Sequence, residues 1–238
     1  MQAALMKWLR LSILAVVALL IAAFVWAITG ETNRFRYRLT FDVTTPGGPR
    51  SGSSVLDVEH TRGRDFWGMM NSEAPYLKGE AVMVDLGGGK MLVGLLKTAT
   101  DNLAFMPVTA FHVENTPDDE RNARFRRLAR LPPGATAVLT QDTTPQMLML
   151  SDVKLPASAR AVTPETFETV LGQGYRFNQA RIEIVPLDTP LNDTIAQRLP
   201  WWRDPDRPAL VALKAAGEER GWMTEESFSS GLKGGHRP

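Results

Sequence analysis

The sequence predicts an α+β protein: an N-terminal transmembrane helix followed by a mainly antiparallel β-sheet domain with about three short helices. Three observations predict it. Residues 11–28, LSILAVVALLIAAFVWAI, open at Leu11, close at Ile28 and carry no charge. Residues 34–44, RFRYRLTFDVT, alternate strictly between apolar and polar side chains. The dipeptides Thr116-Pro117, Thr163-Pro164 and Thr189-Pro190 repeat one helix-start signal.

The apolar run comes first. A helix of this length rises about 27 Å, close to the hydrocarbon thickness of a bilayer. Trp8 and Trp26 flank it where indole rings favour the membrane interface. Lys7 and Arg10 precede it, and Arg34, Arg36 and Arg38 follow, so charge alone nearly balances. Its position near the start predicts residues 1–10 as a cytoplasmic tail, residues 11–29 as the anchor and an exported domain behind it. The competing reading is a signal peptide cleaved after Ala27, at Val25-Trp26-Ala27; the bulky Trp26 and the length of the run weigh against it.

Composition bounds the remainder. Hydrophobic residues make up 44% and charged residues 22%, enough for a folded core behind the anchor. Net charge is +1, which argues against a dedicated nucleic-acid binder. The chain has no cysteine, so disulfides, thiol nucleophiles and zinc–thiolate sites are excluded together. Such a chain suits a bacterial envelope, and the expected location is the inner membrane with the domain in the periplasm.

The globular domain is expected over 34–203. In residues 34–44, Phe35, Tyr37, Leu39, Phe41 and Val43 share one face, and Arg34, Arg36, Arg38, Thr40 and Asp42 the other. A loop over 46–52 turns the chain into a second, antiparallel strand over 53–60. Residues 62–80 show no period. Residues 81–96 read as a hairpin around Gly87-Gly88-Gly89, too apolar for a face in water and so expected at the centre of the sheet. Residues 103–113 read as a further strand. Helices start at the Thr-Pro pairs, the first with Asp118, Asp119 and Glu120 at its positive end, the second closed by Gly172, the third ended by Pro200. Between them 135–140, 147–153 and 175–185 are strand-like. Residues 204–238, rich in Pro, Gly, Ser and charge, read as a largely flexible tail.

Chemistry-bearing constellations are sparse. The run Asp85 to Lys90 lacks the spaced glycines and Lys-Ser/Thr pair of a phosphate loop and leads into a strand, so it reads as a turn. Gly52-Ser53-Ser54 lacks the pattern of a nucleophile elbow. His60, His112 and His236 have no metal-ligand spacing, and strand-end or edge positions account for the first two. No catalytic, cofactor or metal residues are assigned and no cofactor is expected. Arg34, Arg36 and Arg38 form a basic stripe that either meets lipid headgroups or is a solvated face. Arg62, Arg64, Phe66 and Trp67 are the candidate ligand or partner contacts, since Arg and aromatic side chains favour binding surfaces; the alternative is a flap closing the sheet. Trp201-Trp202 reads as a hydrophobic lock after the third helix.

Taken together, RYRLTFDVTTPGG, GSSVLDVE, GEAVMVDLGGGKMLVGLL, LGQGYRFNQARIEIV and LPWW resemble a family of small single-pass envelope proteins of alphaproteobacteria, across most of residues 30–202. That family carries no assigned activity, so the resemblance implies a location and no site residues. The expectation is a membrane-anchored interaction or accessory domain, held to the lipid bilayer through Leu11 and the residues up to Ile28, with a membrane protein as partner. Two alternatives stand: a hydrolase-type enzyme whose site is assembled from distant residues, and a ligand-binding module using 62–80. A pocket holding His60 or His112 beside a carboxylate favours the enzyme; a pocket lined by Phe66 and Trp67 favours the binder.

Overall fold

The computed structural model describes residues 15–19, 21, 31–62, 75–98, 103–113, 121–203 and 229–230. Within the anchor run, 15–19 and 21 are helical and the rest lies outside the described residues. Among the described residues no helix is long and apolar enough to cross a membrane. The fold is α+β with antiparallel sheets and few helices.

The alternating stretch forms β1 (Glu31–Thr45), and its apolar face is buried throughout, Tyr37, Leu39, Phe41 and Val43 completely. It pairs along its whole length with β2 (Gly48–Arg62), from Glu31 opposite Arg62 to Thr45 opposite Gly48. The expected loop over 46–52 therefore shrinks to Pro46-Gly47, and β2 begins earlier than its apolar residues suggest. Polar residues 50–53 pair through backbone groups, which composition does not report.

Two sheets form where one was expected. β3 (Tyr76–Glu80) pairs with β2 at residues 57–59 and continues through Ala81 into β4 (Val82–Gly87). β4 belongs to the second sheet, with β5 (Lys90–Gly94), β7 (Met147–Leu150) and β8 (Ala159–Val162). β9 (Arg176–Val185), β6 (Thr136–Val138) and β10 (Ser229–Ser230) complete the first, in the order β10-β3-β2-β1-β9-β6. The β4–β5 hairpin is apolar on both faces because it lies between two cores, not because it is central; β4 is an edge strand of its sheet. Val82, Val84, Leu86 and Leu92 face the inter-sheet core with Phe41 and Leu56. Met83, Met91, Val93 and Leu95 face a second core. Gly87, Gly88 and Gly89 all take positive φ at the hairpin turn, and the Gly87 N–H donates to Asp85 Oδ1 at 2.8 Å.

The second core is covered by α4 (Ile195–Arg198) and the 3-10 turn Pro200–Arg203, through Ile195, Leu199 and Trp201. Trp201 Nε1 donates to the Val153 carbonyl at 2.8 Å, which fits the expected lock.

The helices depart from expectation at their starts. Residues 103–113 hold α1 (Met106–Ala110) where a strand was expected; Pro107 in its first turn suits a helix start and would break a ladder. α2 (Arg121–Ala129) lies where the first helix was expected and buries Ala123, Phe125 and Leu128; its start, with Asp118, Asp119 and Glu120, lies outside the described residues. α3 (Phe167–Leu171) begins after a turn in which the Thr163 N–H donates to Thr166 Oγ1, and Gly172 closes it at φ 106°. α4 starts at Thr194–Ile195, not at Thr189-Pro190, and Pro200 begins a further turn instead of ending the chain's helical path.

Candidate functional site

The feature that organises the site is the corner where β3 leaves β2. β3 covers β2 only at residues 57–59, then bends away into the other sheet. Beyond that point the edge of β2 needs new partners. Ser54 Oγ donates to the Glu80 carbonyl at 2.7 Å, holding the corner closed. The Val55 N–H donates to Asn192 Oδ1 at 2.9 Å, so a segment from the far end of the chain takes the place β3 has vacated.

That segment is fixed twice more. Arg36, on the outer face of β1, donates to the Thr189 carbonyl and pairs with Asp57. Glu80 Oε2 accepts the N–H groups of Thr194, at 2.8 Å, and Ile195. The carboxylate thus caps α4 from another strand. Burial raises the Glu80 carboxyl above its ordinary value, against the lowering effect of the hydrogen bonds from Thr194 and Ile195; the nearby Asp193 adds to the rise.

Between β2, the β3–β4 corner and this segment lies a cleft of about 330 Å³. Ser51, Ser53, Asn192, Thr194 and Arg198 supply its polar lining, with Gly52, Ala81 and Met83 as its floor. Gly52 is required there: a Cβ on it would overlap the Met83 carbonyl oxygen. Arg198 donates to that same carbonyl at 3.4 Å. Ser51 Oγ donates to Asp42 Oδ1 at 2.8 Å. Burial would raise the Asp42 carboxyl, yet hydrogen bonds from Gln179, Ser51 and Arg181 together hold it below its ordinary value. The arrangement presents hydroxyl, amide and guanidinium groups on a backbone floor.

Among the described residues, none of the sequence-derived candidates lines the cleft. Arg64, Phe66 and Trp67 are outside the described residues, and Arg62 is described only as the last residue of β2. Neither described histidine lines the cleft. His60 is fully buried, not at an edge, and its ring stacks on Phe125 at 4.3 Å and 2° between planes. His112 is exposed just past α1, at φ 54°. Among the described residues no three His, Cys, Asp or Glu side chains gather as a metal site.

The basic stripe of β1 is ion-paired within the sheet. Arg34 and Arg36 both bind the buried Asp57, and Arg38 pairs with Glu183 at 2.9 Å. That favours the solvated-face reading over headgroup contact. Comparison of the chain with family models, curated proteins and solved structures finds no match.

Proposed function

We propose that this protein is a bilayer-tethered accessory domain of the bacterial envelope that works by binding, with the cleft at the β3–β4 corner as its contact site. The observation that carries the binding reading is the cleft lining: three of its polar groups are oriented by separate structural ties, Asn192 by Val55, Ser51 by Asp42 and Arg198 by Met83. Such ties fix hydrogen-bonding groups in advance, which lowers the ordering cost of recognition. The tether reading is supported by the uncharged run of residues 11–28 and by the resemblance to single-pass envelope proteins.

Protease accessibility tests it. The full chain is expected to sediment with the inner membrane and to resist carbonate extraction. Protease added to spheroplasts is expected to digest the domain, and protease added to inverted vesicles to leave it intact. Recovery of the full chain in the soluble cytosolic fraction contradicts the proposal.

A further inference from the structure

The geometry points to a ligand class for the cleft: a small molecule that presents a carboxylate or phosphoryl group to Arg198, Asn192 and Ser53. This rests on reading the cleft as the binding site and deepens it.

The polar valences left over decide the class. Asn192 Oδ1 is taken by the Val55 N–H at 2.9 Å, so the amide turns its Nδ2 donors elsewhere. The Ser51 proton is committed to Asp42 Oδ1. Thr194 is hydrogen-bonded to the Glu80 carboxyl by its hydroxyl as well as its N–H. The Ser53 hydroxyl makes no hydrogen bond among the described residues and lines the cleft. Arg198 is exposed, carries only donors and commits one of them, at 3.4 Å, to the Met83 carbonyl. What remains is the Asn192 amide donors, the Ser53 hydroxyl, which donates or accepts, and the donors and fixed positive charge of Arg198. An acceptor-only oxyanion satisfies that set. A neutral sugar finds acceptors in the Ser51 and Ser53 hydroxyls but gains nothing from the Arg198 charge, and a cation is repelled by it.

The neighbouring carboxylates do not reverse this. Asp42 is matched by Arg181 at 3.4 Å. Glu80 is turned to the N–H groups of α4. Asp193 acts on Glu80 but is exposed to solvent and is not among the cleft-lining residues. The register also bears on the source of the anion. Gly52 lies opposite Phe41, ten residues past Glu31, so the cleft is about 34 Å along the strand from the start of β1. A soluble ligand reaches it freely; a headgroup of the tethering bilayer does so only with the sheet lying flat.

Calorimetric titration of the full chain in uncharged detergent, with inorganic phosphate, acetate and glucose as probes, tests the assignment. Saturable heat from phosphate or acetate is expected, and the better of the two assigns phosphoryl or carboxylate. Arg198→Gln is expected to weaken that affinity by about tenfold or more, with an unchanged melting curve because the side chain is exposed. Asn192→Asp, which replaces donors by a negative charge, is expected to do the same. Nanodiscs containing phosphatidylglycerol form the lipid arm: loss of phosphate binding in them would mark a headgroup source. Equal binding of glucose, anion affinity unchanged in both variants, or no saturable heat from either anion would each overturn the proposal. Membrane fractionation reads the tether independently, so failure here is separable from failure there.

Discussion

Asp57 shows how a single side chain can decide what a charged surface means. Its carboxylate is 4% exposed and takes hydrogen bonds from both Arg34 and Arg36. Burial alone would raise its pKa; the two arginines outweigh that and hold the carboxyl below its ordinary value. A depressed folded pKa gives stability that is present above the unfolded value, near 4, and is lost as pH falls through the folded one. Asp57→Ala is expected to cost about 3 kcal/mol at neutral pH, since it leaves the half-buried Arg36 without its partner. The variant's denaturation midpoint should also fall less steeply than the parent's when both are titrated from pH 5 to pH 2, a range set by carboxylate titration. Arg34, at 45% exposure, should contribute far less when replaced.

At the scale of elements, one contact ties the corner to the segment beside the cleft: Glu80 of β3 capping α4. Glu80→Gln keeps the shape and one acceptor oxygen but removes the charge. Amide hydrogen exchange at Thr194 and Ile195 is expected to speed up, with the β1–β2 amides unchanged. The pH dependence has the opposite sign to that of Asp57. A carboxyl whose folded pKa is raised binds protons more tightly in the fold, so its contribution to stability improves as pH falls towards the unfolded value. Glu80→Gln should remove that gain.

Legibility in the sequence follows the same divide between local and distant causes. β1 was readable because Phe35, Tyr37, Leu39, Phe41 and Val43 are buried on one side and the other side is charged. The glycine turn of the β4–β5 hairpin was readable because positive φ selects glycine. The start of α4 was not, because its cap comes from Glu80, 114 residues away. The cleft was not, because three distant stretches, around Ser53, Met83 and Arg198, meet only at the corner. Gly52 became a signal only once β2 was seen to start at Gly48, since a glycine in a strand interior marks a close backbone approach. Leu103, Phe105, Val108 and Phe111 misled, since apolar spacing there belongs to a turn and α1 packed on the core.

For the whole molecule, two cores on either side of the four-stranded sheet explain why the chain must return across β4 and β5. Trp201 closes the second core and ties to Val153, on the connection between β7 and β8. Trp201→Ala is expected to cost about 3–5 kcal/mol in chemical denaturation. The same change should loosen the segment that carries Asn192, Thr194 and Arg198, and so weaken any ligand held in the cleft. A loss confined to stability, with recognition unaltered, would separate the lock from the site.

Recognition at the cleft is tested most directly by a photo-crosslinking side chain at Ser53, carried by the full chain in intact membranes. A control probe at Arg160, exposed on β8, marks chance encounters. Light-dependent adducts are expected from position 53, absent from position 160 and lost on Arg198→Gln. Equal labelling at both positions, or labelling at 53 that survives the loss of Arg198, would contradict the account.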